Sequence, residues 1–280
     1  MLKEYLKNIA DAIRSKLGTS DKVNAQDFPD KVNEVYDKGV IDQRKNFWNV
    51  LTSNGSRTNY SSTFMYVYWN KNSFQPTVCI KPVQAGSMFS NTNGGGTNAL
   101  GPDIFVDDYI AQFGGSFDWS ECTNYNNTFQ SCSWFKKIKV LDFRKVTAQS
   151  GTNNMTAWCD IKQVGVMKFA EDGSTPISNT MFYGWNVFGS LGTTSIEGTI
   201  GYSINLSSCP NMTVETMKQI ITHLANYYGT DKEATCKITM PSTRWEALES
   251  DTSPYDDGLT DNENLTWKDY IQTSLGWLVA

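Results

Sequence analysis

A short aromatic motif recurs along this chain inside sequence rich in Asn, Thr, Ser and Gly. It reads Ser87-Met88-Phe89, Asn127-Thr128-Phe129 and Thr180-Met181-Phe182, with weaker echoes at Ala111-Gln112-Phe113 and Thr156-Ala157-Trp158. The successive aromatics lie 24, 16, 29 and 24 residues apart. Units of that length cannot bury an apolar face alone and become stable by stacking on their neighbours. A second internal match supports this. Ile138, Val140, Leu141 and Phe143 align with Val164, Val166, Met167 and Phe169 at a constant offset of 26. The alignment predicts equivalent strands, with the motif aromatic as an interior wedge just before each strand. Asn93-Gly94-Gly95-Gly96 and Gly114-Gly115 read as connecting turns. No helix start with Lys-Ser/Thr follows them, so they do not form a phosphate cradle.

The composition fits a folded chain. Over 280 residues only 19% are charged and 13% aromatic, so polarity comes from amides and hydroxyls, the reverse of the disordered signature. The length suffices for a sizeable core. A net charge of −5 with unclustered Lys and Arg gives no field for a polyanion and argues against nucleic-acid binding. The opening Met1-Leu2-Lys3-Glu4-Tyr5-Leu6-Lys7 places charges where a signal peptide needs an apolar core, and no stretch approaches a membrane span. Cytoplasmic synthesis without the usual export is the expectation. Cys79, Cys122, Cys132, Cys159, Cys209 and Cys236 lack zinc-site or redox spacing and read as buried small hydrophobes. No metal or cofactor is expected.

Three regions follow. In residues 1–52, Leu2, Leu6, Ile9, Ile13 and Leu17 form one apolar helical stripe stopped by Gly18. Asp27-Phe28-Pro29 opens a second helix with Val32, Val35 and Tyr36 inward, continuing past Gly39 towards Phe47, Trp48 and Leu51. The first stripe reads either as an oligomerisation seam or as a helix folded back on its own domain. Residues 53–85 are a connector and cap holding Tyr60, Phe64, Tyr66, Tyr68 and Trp69, with a strand between Pro76 and Pro82. Residues 86–280 hold the stacked units. The last quarter reads strand (Ile204, Leu206), helix from Thr213 to Gly229, strand (Ile238, Met240), helix (Trp267, Tyr270, Ile271, Leu275), strand (Trp277-Leu278-Val279). The offsets between these strands are 34 and about 40.

Several of these segments resemble known proteins. Phe129-Gln130-Ser131-Cys132-Ser133 with Phe135, Ile138 and Leu141 resembles the irregular leucine-rich repeats of the BspA type. Asn205-Leu206-Ser207-Ser208-Cys209-Pro210 with Ile238-Thr239-Met240 resembles their closing units. Ile9-Ala10-Asp11-Ala12-Ile13-Arg14, Gly18-Thr19-Ser20-Asp21-Lys22 and Asn24-Ala25-Gln26-Asp27-Phe28-Pro29 resemble the leader of phage and prophage virion proteins from Gram-positive gut bacteria. Phe47-Trp48, Asn54-Gly55-Ser56-Arg57-Thr58 and Trp69-Asn70 are similar to the segment joining that leader to its repeats. The resemblance implies an α/β protein, an irregular leucine-rich-repeat-like solenoid preceded by an N-terminal helical segment. It also implies a place in a tail, baseplate or fibre. The expected partners are other virion proteins, further copies of the chain (a trimer being one such assembly) and a host-surface glycan or protein. Uneven spacing, and Phe, Trp or Met where Leu is expected, leave the number of units open.

Catalytic signals are weak beside this. His223, the single histidine, reads as a satisfied helix residue, with no nucleophile elbow to accompany it. Asp103, Asp107, Asp108, Asp118 and Glu121 are the acids from which a glycan-cleaving pair would be drawn, and solvated turn acids are the plainer reading. Asp256-Asp257-Gly258 through Asp261-Asn262-Glu263 lacks calcium-loop spacing and reads as a surface loop. The aromatic surplus is sharper. Trp119, Tyr125, Trp134, Tyr183 and Trp185 stand among Asn, Ser, Thr and Gly, where flat rings beside amides suit a sugar or protein ligand. Phe89, Phe129 and Phe182 read as interior scaffold. The expectation is a non-enzymatic virion component, with a glycan-degrading tail enzyme or a bacterial surface adhesin as alternatives.

Overall fold

The computed structural model describes residues 2–53, 56–68, 74–94, 99–184, 195–209, 212–250 and 265–280. Trp69, Gly95-Gly96, Trp185 and the acidic run at 256–263 lie outside the described residues, as do Asn54-Gly55 and Asn70 of the resemblance to the joining segment and Pro210 of that to the closing units. The protein combines an N-terminal helical segment with small parallel sheets.

Helix α1 (Leu2–Leu17) ends where Gly18 turns left-handed at φ 69°, its N–H donating to the Arg14 carbonyl. Helix α2 (Phe28–Leu51) runs unbroken through Gly39. Asp27 holds the N-cap position, but its side chain accepts from Asn24 Nδ2 instead of capping the helix. Ala10, Ile13 and Val23 form a small core on which Ile9, Leu17, Phe28 and Val35 pack. Ile9, Ile13 and Leu17 are therefore engaged within the hairpin. Leu6 is half-buried, and Leu2 is described only in its backbone. The expected inward placement of Val32 and Tyr36 is corrected, since they are 52% and 71% exposed. Around α2, Phe28 and Val35 turn to α1, whereas Trp48 and Leu51 turn to the main core and Arg44 lies over the Phe113 ring. Val32, Tyr36, Val40, Phe47 and Val50 point between these faces and stay exposed.

The body is built from stacked layers of turns. Residues 60–67, 85–92, 125–132, 152–159 and 178–184 occupy successive layers. In the first, the N–H groups of Tyr60, Ser62, Phe64 and Tyr66 donate to Gln84, Gly86, Met88 and Ser90 in the second. Those of Ala85, Ser87, Phe89 and Asn91 donate to Asn124, Asn126, Thr128 and Gln130, and those of Tyr125, Asn127, Phe129 and Ser131 to Gly151, Asn153, Met155 and Ala157. The alternate N–H groups close turns inside their own layer, as Thr63 to Tyr60 and Met65 to Ser62. A left-handed residue at every fourth position makes this alternation. The pairs are Ser62 and Tyr66, Ser87 and Asn91, Asn127 and Ser131, and Asn154 and Trp158, with Gly184 in the fifth layer. Gly and Asn tolerate that conformation best, and the small Ser side chain suits tight turns through local hydrogen bonds, which fits the composition around the motif.

The motif aromatics point inward. Phe64, Phe89 and Phe129 stack face on, with centroids 5.3 and 6.1 Å apart. Thr156 takes the equivalent place in the fourth layer, its hydroxyl donating to the Met181 carbonyl. The echo Thr156-Ala157-Trp158 is thus out of register by two residues, and Trp158 is the counterpart of Ser131. The echo ending at Phe113 is not a layer at all; it follows α3 (Val106–Ala111).

Short parallel strands accompany the layers. β1 (Cys79–Ile80) pairs with β2 (Ser116–Phe117). β3 (Lys137–Asp142) pairs with β4 (Gln163–Lys168) in the register Ile138–Val164, Val140–Val166 and Leu141–Met167, the offset of 26 expected from sequence. A Cβ at Gly165 would stand 2.6 Å from the Lys139 carbonyl oxygen, so this approach needs glycine. β4 pairs with β5 (Ser195–Glu197). β6 (Ile204–Asn205) pairs with β7 (Lys237–Thr239), and β7 with β8 (Leu278–Val279), at offsets of 34 and 41. The Thr213 hydroxyl accepts from Thr216 N at the start of α4 (Val214–Thr222). That helix ends before the expected Gly229. α5 (Ser242–Ser250) has no counterpart in the sequence reading. α6 (Trp267–Asp269) runs into a π-helical turn, Tyr270–Ser274. One continuous core joins Trp48 and the 60–67 layer to Trp277, so the expected connector shares the core of the body.

Phe129 touches ring neighbours on both sides and is fully buried. Phe129→Ala is expected to lower unfolding free energy by about 3–5 kcal/mol, read from urea unfolding at 25 °C.

Candidate functional site

The outer face of the turn column is the candidate site. The second left-handed position of each layer forms a row running Tyr66, Asn91, Ser131, Trp158 and Gly184, with φ values from 53° to 64°. The N–H groups of the first four donate to Ser90, Gln130, Ala157 and Gly184 in the following layers, which fixes the row's spacing. Tyr66 is 72% exposed and Trp158 57%. The left-handed conformation costs an L-residue roughly 1–2 kcal/mol, and for a bulky aromatic it is a true outlier. These two rings occupy strained positions without filling any core. Strain of that kind gathers at functional positions.

Trp158 is held as a platform. A Cβ at Gly184 would lie 3.3 Å from its Cδ1 and 3.4 Å from its Nε1, so the indole rests against a bare glycine. The Tyr183 ring meets it edge-on at 5.8 Å, itself 43% exposed. Beside it, Lys136 Nζ donates to Asp160 Oδ2 at 2.7 Å, which neutralises the local charge. Ser133 Oγ donates to Asn93 Oδ1 at 2.8 Å, leaving a polar border of amides and hydroxyls.

Of the five aromatics expected to face a ligand, Tyr183 is on this surface and Trp185 lies outside the described residues. Trp119, Tyr125 and Trp134 are corrected, because all three are buried. Trp119 stacks against Phe117 at 5.4 Å and lies 5.6 Å from Tyr125. The Tyr125 hydroxyl donates to the Asp142 carbonyl at 2.7 Å, and burial pushes its phenol well above the ordinary range. Trp134 packs against Phe74 at 4.9 Å and over Gly94, where a Cβ would come within 2.4 Å of its ring. Their polar sequence neighbours form the turns, while the rings point inward. Trp158 and Tyr66, absent from the expected set, are the other exposed rings of the column. The signal that finds them is an aromatic in the slot where Asn and Ser otherwise stand.

The remaining candidates have structural partners. Asp107 Oδ2 accepts the Lys139 N–H at 2.7 Å, Asp108 pairs with the Lys139 ammonium, and Asp103 lies 3.8 Å from Lys137. Asp118 accepts from Ser120 and lies 3.6 Å from Lys81, and Glu121 is 3.9 Å from Lys145. His223 Nδ1 is 2.9 Å from the Gly198 carbonyl oxygen. Burial pushes the Cys122 thiol up to about 12 and those of Cys132 and Cys159 upward as well, so these sulfurs stay protonated and inert. All six cysteines are free, with Cys79 and Cys236 only half-buried. Among the described residues no three His, Cys, Asp or Glu side chains gather as a metal site, and no helix is long and apolar enough to cross a membrane. Comparison with family models, curated proteins and solved structures gave no match.

Burial raises the Asp107 carboxyl above its ordinary value, outweighing the Lys139 hydrogen bond. A raised folded value means the folded state binds more protons, so this group lowers stability as pH climbs through that range. Asp107→Asn keeps an acceptor for the Lys139 N–H. Its stability relative to the parent is expected to increase from about pH 4 upward and then level off, measured by urea unfolding across pH.

Proposed function

We propose that this chain is a structural, host-facing component of a phage tail, baseplate or fibre, whose N-terminal helices assemble and whose body is an irregular leucine-rich-repeat-like solenoid. Support for the solenoid comes from parallel registers at 26, 34 and 41 residues together with the stacked turns. The aromatic, two residues, then cysteine order of Phe129 to Cys132 places both end residues inside, as a repeat of that type requires.

The observation that carries the reading is the uncovered apolar row on α2. Tyr36, Val40, Phe47 and Val50, with Gln43 between, follow alternating spacings of four and three residues, the seam of a coiled coil. The row lies apart from the face that packs on α1 and from the face that meets the body. It moves the assembly surface from the α1 stripe to α2, with further copies of this chain as its partners. Several weak surface contacts would then add through their linkage in one particle. The exposed aromatics of the turn column supply the host-facing surface, and a glycan is the ligand class their setting favours.

Two measurements test this. Purified protein incubated with cell walls and capsule of Gram-positive gut bacteria is expected to be retained without releasing reducing ends. Release that disappears on replacing one of Asp103, Asp107, Asp108, Asp118 or Glu121 overturns the reading in favour of a glycan-degrading enzyme. Phe47→Glu with Val40→Glu is expected to reduce the mass measured by light scattering to that of a monomer, while the body still melts cooperatively. An unchanged mass removes α2 as the assembly surface.

A further inference from the structure

The row of left-handed positions also sets the length and character of a ligand. Tyr66 and Trp158 hold the same position in the first and fourth layers, with Asn91 and Ser131 in the two layers between. Layers joined by N–H to O=C bonds are spaced like neighbouring strands at about 4.7–4.9 Å, so three steps separate the rings by about 14 Å. We infer that this row is a binding site for an extended, uncharged glycan of at least four sugars, its end sugars stacking on Tyr66 and Trp158 and the middle two facing Asn91 and Ser131. The inference rests on the reading that the body binds host-surface glycan.

Three observations select a glycan over a peptide. An extended peptide advances only about 3.2–3.4 Å per residue and falls out of step with the layers, whereas an extended pyranose chain advances by close to one layer. The row's own N–H groups are bonded to the next layer, so a peptide strand cannot add to them by backbone pairing. The positions in the row carry no charge, and Asp160 beside Trp158 is paired with Lys136, which disfavours a charged ligand. Aromatic faces with amide and hydroxyl groups between them match the alternating apolar and hydroxylated surfaces of a neutral sugar.

Strain gives the test a second readout. Asn tolerates the left-handed conformation that Tyr and Trp resist. If the rings serve a ligand and not the fold, Tyr66→Asn and Trp158→Asn lose binding without losing stability. Titration calorimetry of the full chain with cello- and chito-oligosaccharides of two to six residues is expected to show affinity rising at least tenfold between two and four sugars and flat thereafter on one of the two series. Each variant is expected to weaken the four-sugar ligand about tenfold and remove the length step. Neither variant is expected to melt below the parent, and Tyr66→Asn is expected to melt about 2–4 °C higher. Absence of the length step in the parent, undiminished binding by both variants, or loss of binding accompanied by a lowered melting temperature each overturns the inference. Retention on whole cell walls that both variants preserve overturns it while leaving the host-binding reading standing. Loss of retention by the parent itself removes both.

Discussion

The architecture depends on backbone hydrogen bonds that pass from one turn layer to the next. A chain of tight turns ordinarily directs its N–H groups inward to its own carbonyls. Here a left-handed residue at every fourth position turns alternate peptide units outward, so half of the N–H groups reach the following layer. Polar backbone is thereby satisfied without long strands, and the sheets need only two to six residues each. Everything inside the column follows from that spacing. Phe64, Phe89 and Phe129 stack because their layers stack, and Thr92, Cys132 and Cys159, three residues on from the inward position of the second, third and fourth layers, are buried behind them.

The same constraint sorts the aromatic residues by role. A ring between the two left-handed positions points into the core and adds packing. A ring on the second left-handed position points to solvent and carries backbone strain. Phe129 and Trp158 are two residues apart in layer position, yet one builds the fold and the other presents a surface. Polar neighbours do not distinguish them, because Asn and Ser are selected by backbone conformation in both settings.

This also explains what could be read from sequence. The pairing of β3 with β4 was legible to the residue, because apolar identity at strand positions reports burial directly. The inward placement of Phe89, Phe129 and Phe182 was legible for the same reason. Trp119, Tyr125 and Trp134 are buried although polar residues surround them in sequence, because those neighbours form the turns while the rings point inward. Trp158 aligns with Ser131 and not with Phe129, because the chain matches left-handed residue to left-handed residue, which aromatic identity does not report. In α2, Val32 and Tyr36 follow helical periodicity, but three faces of one helix compete for partners and periodicity alone does not say which face is left uncovered. Helix α4 stops short of Gly229 because Leu224 leaves it to bridge Ile200, and Gly229 belongs to the later turn closed from Thr230 N–H to the Tyr227 carbonyl.

The glycine beneath Trp158 has a consequence for change along this surface. Gly184 and the indole fit because the neighbouring layer offers no side chain at that point. Inserting or deleting one complete layer that keeps the alternation of peptide units would shift the two exposed rings by a whole step. A partial insertion would break the alternation of peptide units on both sides. The separation of the rings is therefore quantised, like marks on a ruler. At the proposed glycan site, the length of chain spanned would change by whole layers, with the same contacts at either end.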